Sequence, residues 1–207
     1  MQVDIIFFLV ILIFSVILHE IAHGYVAALL GDPTARLAGR LSLNPRSHID
    51  PMGSVVVPGL LLLGSGGALS FGWAKPVPYN PYNLRNFKWG SIAVALAGVL
   101  VNLIIAIIFG LIIRYMVMAG VGTEEFLRIL VMITQINLIL AIFNLIPIPP
   151  LDGSKILFSF LPYRFQAIQE YMEHNWLIFL VFVFFFAHYM ISPISHGLFW
   201  LITGFSM

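Results

Sequence analysis

The chain has 207 residues, of which 60% are hydrophobic and 9% charged, with a formal net charge of +1 and no cysteine. A soluble domain carries roughly 25% charged residues, so this composition excludes a soluble globular protein and implies an integral membrane one. The balanced charge argues against a nucleic-acid partner, which requires a clustered basic face, and the missing cysteine excludes disulfides and thiolate metal sites.

Spanning helices of about 20 mostly apolar residues are the natural elements of such a chain. The opening "MQVDIIFFLVILIF" lacks the basic start and small-residue cleavage site of a secretory signal, and reads as the start of a retained helix. The first span is Ile5 to Leu30, stopped by Gly31-Asp32-Pro33. Arg36 to Asp50 is polar. Met52 to Phe71 is apolar but interrupted at Pro58-Gly59 and at "GSGG", Gly64 to Gly67. Trp73 to Asn86 is rich in Pro, Tyr and Asn and suits an extended interfacial segment, because proline disfavours helix and biases its predecessor toward extended backbone. Trp89 to Arg114 is a second span and Phe126 to Ile146 a third, ended by "PIPPLDG". Ser154 to Phe160 suits a short helix, and Pro162 to His174 is the most polar stretch of the C-terminal half. Trp176 to Ile191 is a fourth span, broken at Ser192-Pro193, with a short apolar tail from Ile194 to Phe205. Trp73, Trp89, Trp176 and the tyrosines suit interfacial anchoring. No internal repeat divides the chain. The expected fold is an all-α polytopic membrane protein of one domain, residues 1–207. It has a three-helix core at about 5–160 with a re-entrant or extra hydrophobic segment and an interfacial extended segment, and C-terminal helices at 161–207.

The first span contains "HEIAH", with His19, Glu20 and His23 in an otherwise apolar helix. Ionisable groups in a membrane helix cost several kcal/mol and are rare without a function. Residues four apart share a helix face, so His19 and His23 can converge on one metal ion. Glu20 projects about 100° away, beside the metal, where it can take a proton from the attacking water and return it to a leaving amine. Zinc accepts imidazole and carboxylate and keeps an open position in catalytic sites, which usually have three protein ligands. Asp32 and His48 do not fit the spacing of a third ligand in the soluble zinc peptidase patterns. Asp152 is the candidate. It follows a break at membrane depth, "FNLIPIPPLDG", and unwound backbone is tolerated there only where it is buried in protein or lines a cavity. Asp152 could also simply cap the helix starting near Ser154, and the two roles can coexist.

Charge supplies the topology. Arg36, Arg40, Arg46, Lys75, Arg85, Lys88, Lys155 and Arg164 fall in three segments, and only Arg114 and Arg128 lie between the second and third spans. The positive-inside rule puts the three rich segments in the cytoplasm. Both halves of the site then lie toward the cytoplasmic side, provided that Met52 to Phe71 returns to the side it left.

"HEIAH", "AGVLVN" (Ala97 to Asn102) and "NLIPIPPLDG" (Asn144 to Gly153) together resemble the three signatures of the site-2 protease family of zinc intramembrane proteases. The resemblance covers about residues 10–160. "LSLNPRSHIDPMG" and "FGWAKPVPYNP" resemble a compact prokaryotic branch without a PDZ domain. The resemblance implies one catalytic zinc held by His19, His23 and Asp152, with Glu20 as catalytic base and Asn144 and Asn102 at the substrate. It also implies an intramembrane endopeptidase in the inner membrane of a prokaryotic cell, acting on a transmembrane segment of another protein. The family often has proline where this chain has Val99, which suggests a local backbone difference. The stretch near Trp73 to Val77 resembles the family's strand that can pair with an unfolded substrate.

The remaining polar residues admit plainer roles. Asn102, Asn137 and Asn144 can hydrogen-bond between helices, or hold a substrate backbone or an oxyanion. His48 and Asp50 suit loop structure, and His174, His188 and His196 suit packing or the interface. The rival to a peptidase is a zinc-binding membrane protein without peptidase activity, such as a transporter or a degenerate homologue.

Overall fold

The structure is a computed structural model that describes residues 2–57, 60 and 74–205. Seven α-helices are formed among the described residues: α1 (Gln2–Leu29), α2 (Thr34–Leu37), α3 (Phe87–Ala119), α4 (Glu124–Asn144), α5 (Asp152–Phe160), α6 (Gln166–His174) and α7 (Trp176–Thr203). Short 3-10 turns at Pro45–His48 and Pro81–Asn83 and a π turn at Pro51–Val56 punctuate the connections. No strand occurs among the described residues. Among the described residues three helices are long and apolar enough to cross a bilayer: α1 over Ile5–Leu29, α3 and α4.

Each boundary has a local cause. Gly31 closes α1 in the left-handed conformation (φ 112°), which lets the Asp32 amide reach back to the Ala27 carbonyl at 2.9 Å. Asn86 caps α3 by accepting from the Trp89 amide at 3.0 Å. Gly120 (φ 65°) ends α3, and Thr123 accepts from the Phe126 amide to start α4 three residues later. That short turn makes α3 and α4 an antiparallel hairpin. At 33 residues, α3 is about 50 Å long at 1.5 Å per residue, so it exceeds a hydrocarbon core of about 30 Å.

Ala106 and Ile113 of α3 and Leu130 and Leu138 of α4 form one buried cluster with Phe199 of α7. A second cluster joins Ala27 of α1 to Leu84 and to Val94 of α3. The Leu30 carbonyl accepts from the Arg85 amide at 2.9 Å, so the chain between α1 and α3 leaves and re-enters at one end of the bundle. That meets the condition set on the topology. The route through 58, 59 and 61–73, where most of the expected re-entrant segment and Trp73 fall, lies outside the described residues.

One expectation is corrected. Proline does not break the last helix: α7 runs from Trp176 to Thr203 with Pro193 inside it. Proline deletes one backbone donor, the one that would serve the carbonyl four residues before it, while the helix continues on either side; Ser195 Oγ (3.2 Å) and His196 Nδ1 (2.6 Å) add bonds to the Ser192 carbonyl in the same stretch. The polar stretch 162–174 contains α6, within the expected C-terminal helices, supported on its exposed face by Gln166–Glu170 and Gln169–Glu173 hydrogen bonds at i,i+4. At Val99 the backbone is regular helix, and its side chain is buried.

Candidate metal centre

The histidines stand near the C-terminal end of α1, on the face turned to α3. Asp152 arrives from the far end of α4, through a compact turn. The Leu151 amide donates to Ile148 O at 3.0 Å and the Ser154 amide to Leu151 O at 3.1 Å. Gly153 is required there, because a Cβ would collide with the Leu145 carbonyl oxygen. Asp152 does not act as the N-cap. Leu151 holds that position and Asp152 is the first helical residue, so its carboxylate is free to turn toward α1.

Three donor atoms converge. His19 Nε2 and His23 Nε2 each lie 3.1 Å from Asp152 Oδ2 and 3.0 Å from each other. All three residues are buried. A tetrahedral zinc with bonds of about 2.0–2.1 Å separates its donors by about 3.3 Å, so the triangle matches the edge of such a site. The chemistry agrees with the geometry. His23 Nδ1 donates to the Val94 carbonyl at 2.7 Å, so in the neutral ring Nε2 is a lone pair facing a carboxylate. A lone pair and an anionic oxygen at 3.1 Å repel each other unless a cation, a proton or a metal ion, lies between them. These residues therefore fit a metal ion, and His19, His23 and Asp152 would hold it.

Lys155 covers the other carboxylate oxygen, with Nζ 3.0 Å from Asp152 Oδ1, and its ammonium lies over the Tyr79 ring. Oδ2 alone is thereby left for the triangle. A cavity of about 640 Å³ opens beside it, lined by His19, Glu20, Asn102, Asn144 and Lys155 and bordered by Trp176 and Leu180 of α7.

Glu20 is half-buried on this cavity, and its Oε2 accepts from the Val77 amide at 2.8 Å. The segment carrying Val77 is tied on both sides. The Lys75 amide donates to His48 O at 2.9 Å, and Arg40 Nη2 donates to the Lys75 and Pro76 carbonyls at 2.8 and 3.2 Å. Pro76 and Pro78 have no amide proton, so both available N–H groups between 75 and 78 are engaged within the chain. Asp32 anchors the next turn. It accepts from Thr34 Oγ1 (2.5 Å), the Asn80 amide (2.6 Å) and Asn83 Nδ2 (2.9 Å). Burial pushes its carboxyl up, but those donors outweigh it and hold the group below the usual aspartate value.

The three asparagines separate. Asn144 lies on the cavity, its Nδ2 bonded back to Leu140 O at 2.9 Å. Asn102 is fully buried at the back of the cavity, facing His19 Nδ1 at 3.4 Å. Asn137 is fully buried and bridges helices, with Nδ2 on Ser15 Oγ at 3.0 Å. His48 is a buried loop residue, bonded through Nε2 to the Ser42 carbonyl at 2.8 Å.

Four participants were not singled out from the sequence: Val77 through its amide, Val94 through its carbonyl, Gly98 against the His19 ring and Lys155 beside Asp152. Backbone groups carry no residue signature. Gly98 and Lys155 did have one, a glycine four before Asn102 and a cation three after Asp152.

Two imidazoles and a carboxylate around one point, with a glutamate alongside, on helices long enough to cross a bilayer, define the class of membrane-embedded metallopeptidases. Comparison with known proteins agrees. The model described as Peptidase family M50 matches residues 118–188. A Bacillus subtilis protein named "Putative zinc metalloprotease YwhC" is 36% identical over 92% of this chain and 86% of its own length. Proteins named "Putative zinc metalloprotease Rip2" are 30% identical over 67% of the chain in Mycolicibacterium smegmatis and 29% over 82% in Mycobacterium tuberculosis. The chain spans only 51% and 63% of those two relatives. No solved structure matches it. The chain belongs to peptidase family M50, the site-2 protease family that its motifs resemble, and is a metalloprotease.

Proposed function

We propose that the protein is an intramembrane zinc endopeptidase that hydrolyses peptide bonds in or near transmembrane segments of other membrane proteins. The observation that carries this reading is the buried triangle of His19 Nε2, His23 Nε2 and Asp152 Oδ2 on helices with the length and apolarity of membrane spans. When bound, zinc supplies the Lewis acid that polarises the scissile carbonyl and activates water.

The remaining roles fall to the chain. Glu20 takes the proton of the attacking water and delivers it to the leaving amine. The Val77 amide holds one of its oxygens, which fixes the carboxylate in orientation. Asn144 offers its amide to the substrate backbone on the cavity wall, and Lys155 keeps Asp152 turned so that Oδ2 faces the histidines. The apolar walls exclude bulk water, and the site opens toward the cytoplasm by the distribution of Lys and Arg, in the inner membrane of a prokaryotic cell.

The test is cleavage of single-span substrates by purified protein in liposomes. Wild type should cleave within or next to the span, and removal of zinc by a chelator should stop it. Glu20→Gln should lower kcat by roughly 10²–10⁴-fold while zinc content stays at the wild-type level. Full cleavage by Glu20→Gln, or cleavage confined to soluble peptides, would overturn the proposal. Zinc bound without any cleavage would favour the metal-binding rival.

A further inference from the structure

Helix α3 supplies no atom to the donor triangle, yet it touches both imidazoles. The Val94 carbonyl accepts from His23 Nδ1. Gly98 lies against the other ring so closely that a Cβ would stand 2.5–2.6 Å from His19 Cε1, Nδ1 and Nε2. Asn102 faces His19 Nδ1 at 3.4 Å. These positions are four apart and form a single stripe of the helix. The stripe sets how each imidazole is presented.

For His23 the setting is complete, since Nδ1 carries the proton and Nε2 is bare. His19 is different. Its Nδ1 meets Asn102 Nδ2, which is itself a donor. That pairing suits only a His19 whose proton sits on Nε2, pointing at Asp152 Oδ2, and this tautomer cannot bind a metal through Nε2. Meanwhile Asn102 Oδ1 is buried with no hydrogen-bond partner. Which end of an amide is oxygen is settled by the hydrogen-bond network around it. Turning the amide by half a rotation brings Oδ1 opposite Nδ1.

We propose that Asn102 is the positioning residue of the metal centre. With the ion bound, Asn102 Oδ1 accepts from the His19 Nδ1 proton and keeps Nε2 free for the metal. Asparagine serves both states, because it can donate to the bare Nδ1 when the site is empty and accept from the protonated one when it is filled. The inference rests on the proposed role of His19 as a ligand, and it gives Asn102 a duty toward that ligand in place of the substrate contact expected from the resemblance.

The test measures zinc affinity of the purified full-length protein by competition with a chromophoric chelator. A second readout is the ring-nitrogen NMR signals of ¹⁵N-histidine in the zinc-loaded protein. Asn102→Leu, similar in size but unable to accept, should weaken zinc binding by about 10–100-fold, the usual effect of losing an outer partner of a ligand. Asn102→Asp, an acceptor in the same place, should keep wild-type affinity, and His19 should show a protonated Nδ1 in it and in the wild type. If Asn102→Asp weakens zinc as much as Asn102→Leu, or if His19 carries its proton on Nε2 in the loaded wild type, the proposal fails. Should Asn102→Leu not fold, Asn102→Asp and the NMR signals decide alone. Undiminished zinc affinity in His19→Ala would remove the ligand assignment itself, a different result from any Asn102 outcome.

Discussion

The two halves of α3 do opposite work with similar residues. Toward its N-terminus, Val94, Gly98 and Asn102 face the imidazoles of α1. Toward its C-terminus, Ala106 and Ile113 face Leu130 and Phe199 in a dry apolar cluster, and Gly110 lies against Ile202 of α7. The same contrast holds between the two fully buried asparagines, Asn102 against a metal-facing histidine and Asn137 against a serine hydroxyl of α1. A small or polar residue in a membrane helix is therefore not informative by type. What it touches decides whether it serves chemistry or packing.

Substitutions along the helix can break this contrast. The largest effect belongs to Gly98→Ala. The added methyl would stand 2.5 Å from a ring that is already fixed between Asp152 and α3, so His19 must leave the triangle. Zinc affinity, measured by chelator competition, should fall more than 100-fold, beyond the range for losing an outer partner alone. Gly110→Ala is the matched control. Its methyl meets the Ile202 Cγ2 atom at 2.6 Å, the branch methyl of a side chain that is stiff at χ1, so α7 must give way locally. It should leave zinc binding intact and cost about 1–3 kcal/mol of stability, the usual range for an extra methyl in a core. Equal losses of zinc affinity from both glycines would erase the distinction.

Next in size is Val77→Pro, which deletes the amide that holds Glu20. A hydrogen bond to a charged group contributes about 1.5–3 kcal/mol, so kcat should drop roughly 10–100-fold, with zinc content unchanged. An increase in kcat would show instead that the contact restrains the enzyme. Asn137→Ala should cost about 1–3 kcal/mol of stability by stranding the Ser15 hydroxyl, seen as a lower unfolding temperature, with the per-molecule cleavage rate preserved.

The smallest effect at neutral pH concerns Asp32. Its donors hold the carboxyl below the usual aspartate value. The sign follows from linkage: its contribution is complete above the unfolded value near 3.8 and is lost as pH falls through the lower folded value. Unfolding of the wild type below pH 4 should therefore include a component absent from Asp32→Asn. Identical acid profiles for the two proteins would contradict this.

Much of the architecture was legible because the bilayer makes sequence periodicity and length speak clearly. α1, α3 and α4 fell within a few residues of the expected spans, and "HEIAH" and "PLDG" pointed to the residues that meet. Helix α7 was misread at Pro193, because a proline removes one backbone hydrogen bond of a long apolar helix and the rest of the ladder continues past it.

The sequence by itself determined the class of the chain, the apolar helices α1, α3 and α4 and the residue types able to bind a metal, since composition and helical spacing are local properties. It determined that His19 and His23 share a face. Only the tertiary structure decided that Asp152, about 130 residues away, turns its Oδ2 between them, and that α3 fixes both imidazoles through a carbonyl, a missing side chain and an amide. Those contacts join groups from helices brought together by packing, and the Val94 carbonyl, a backbone group, leaves no residue signature in the sequence to read.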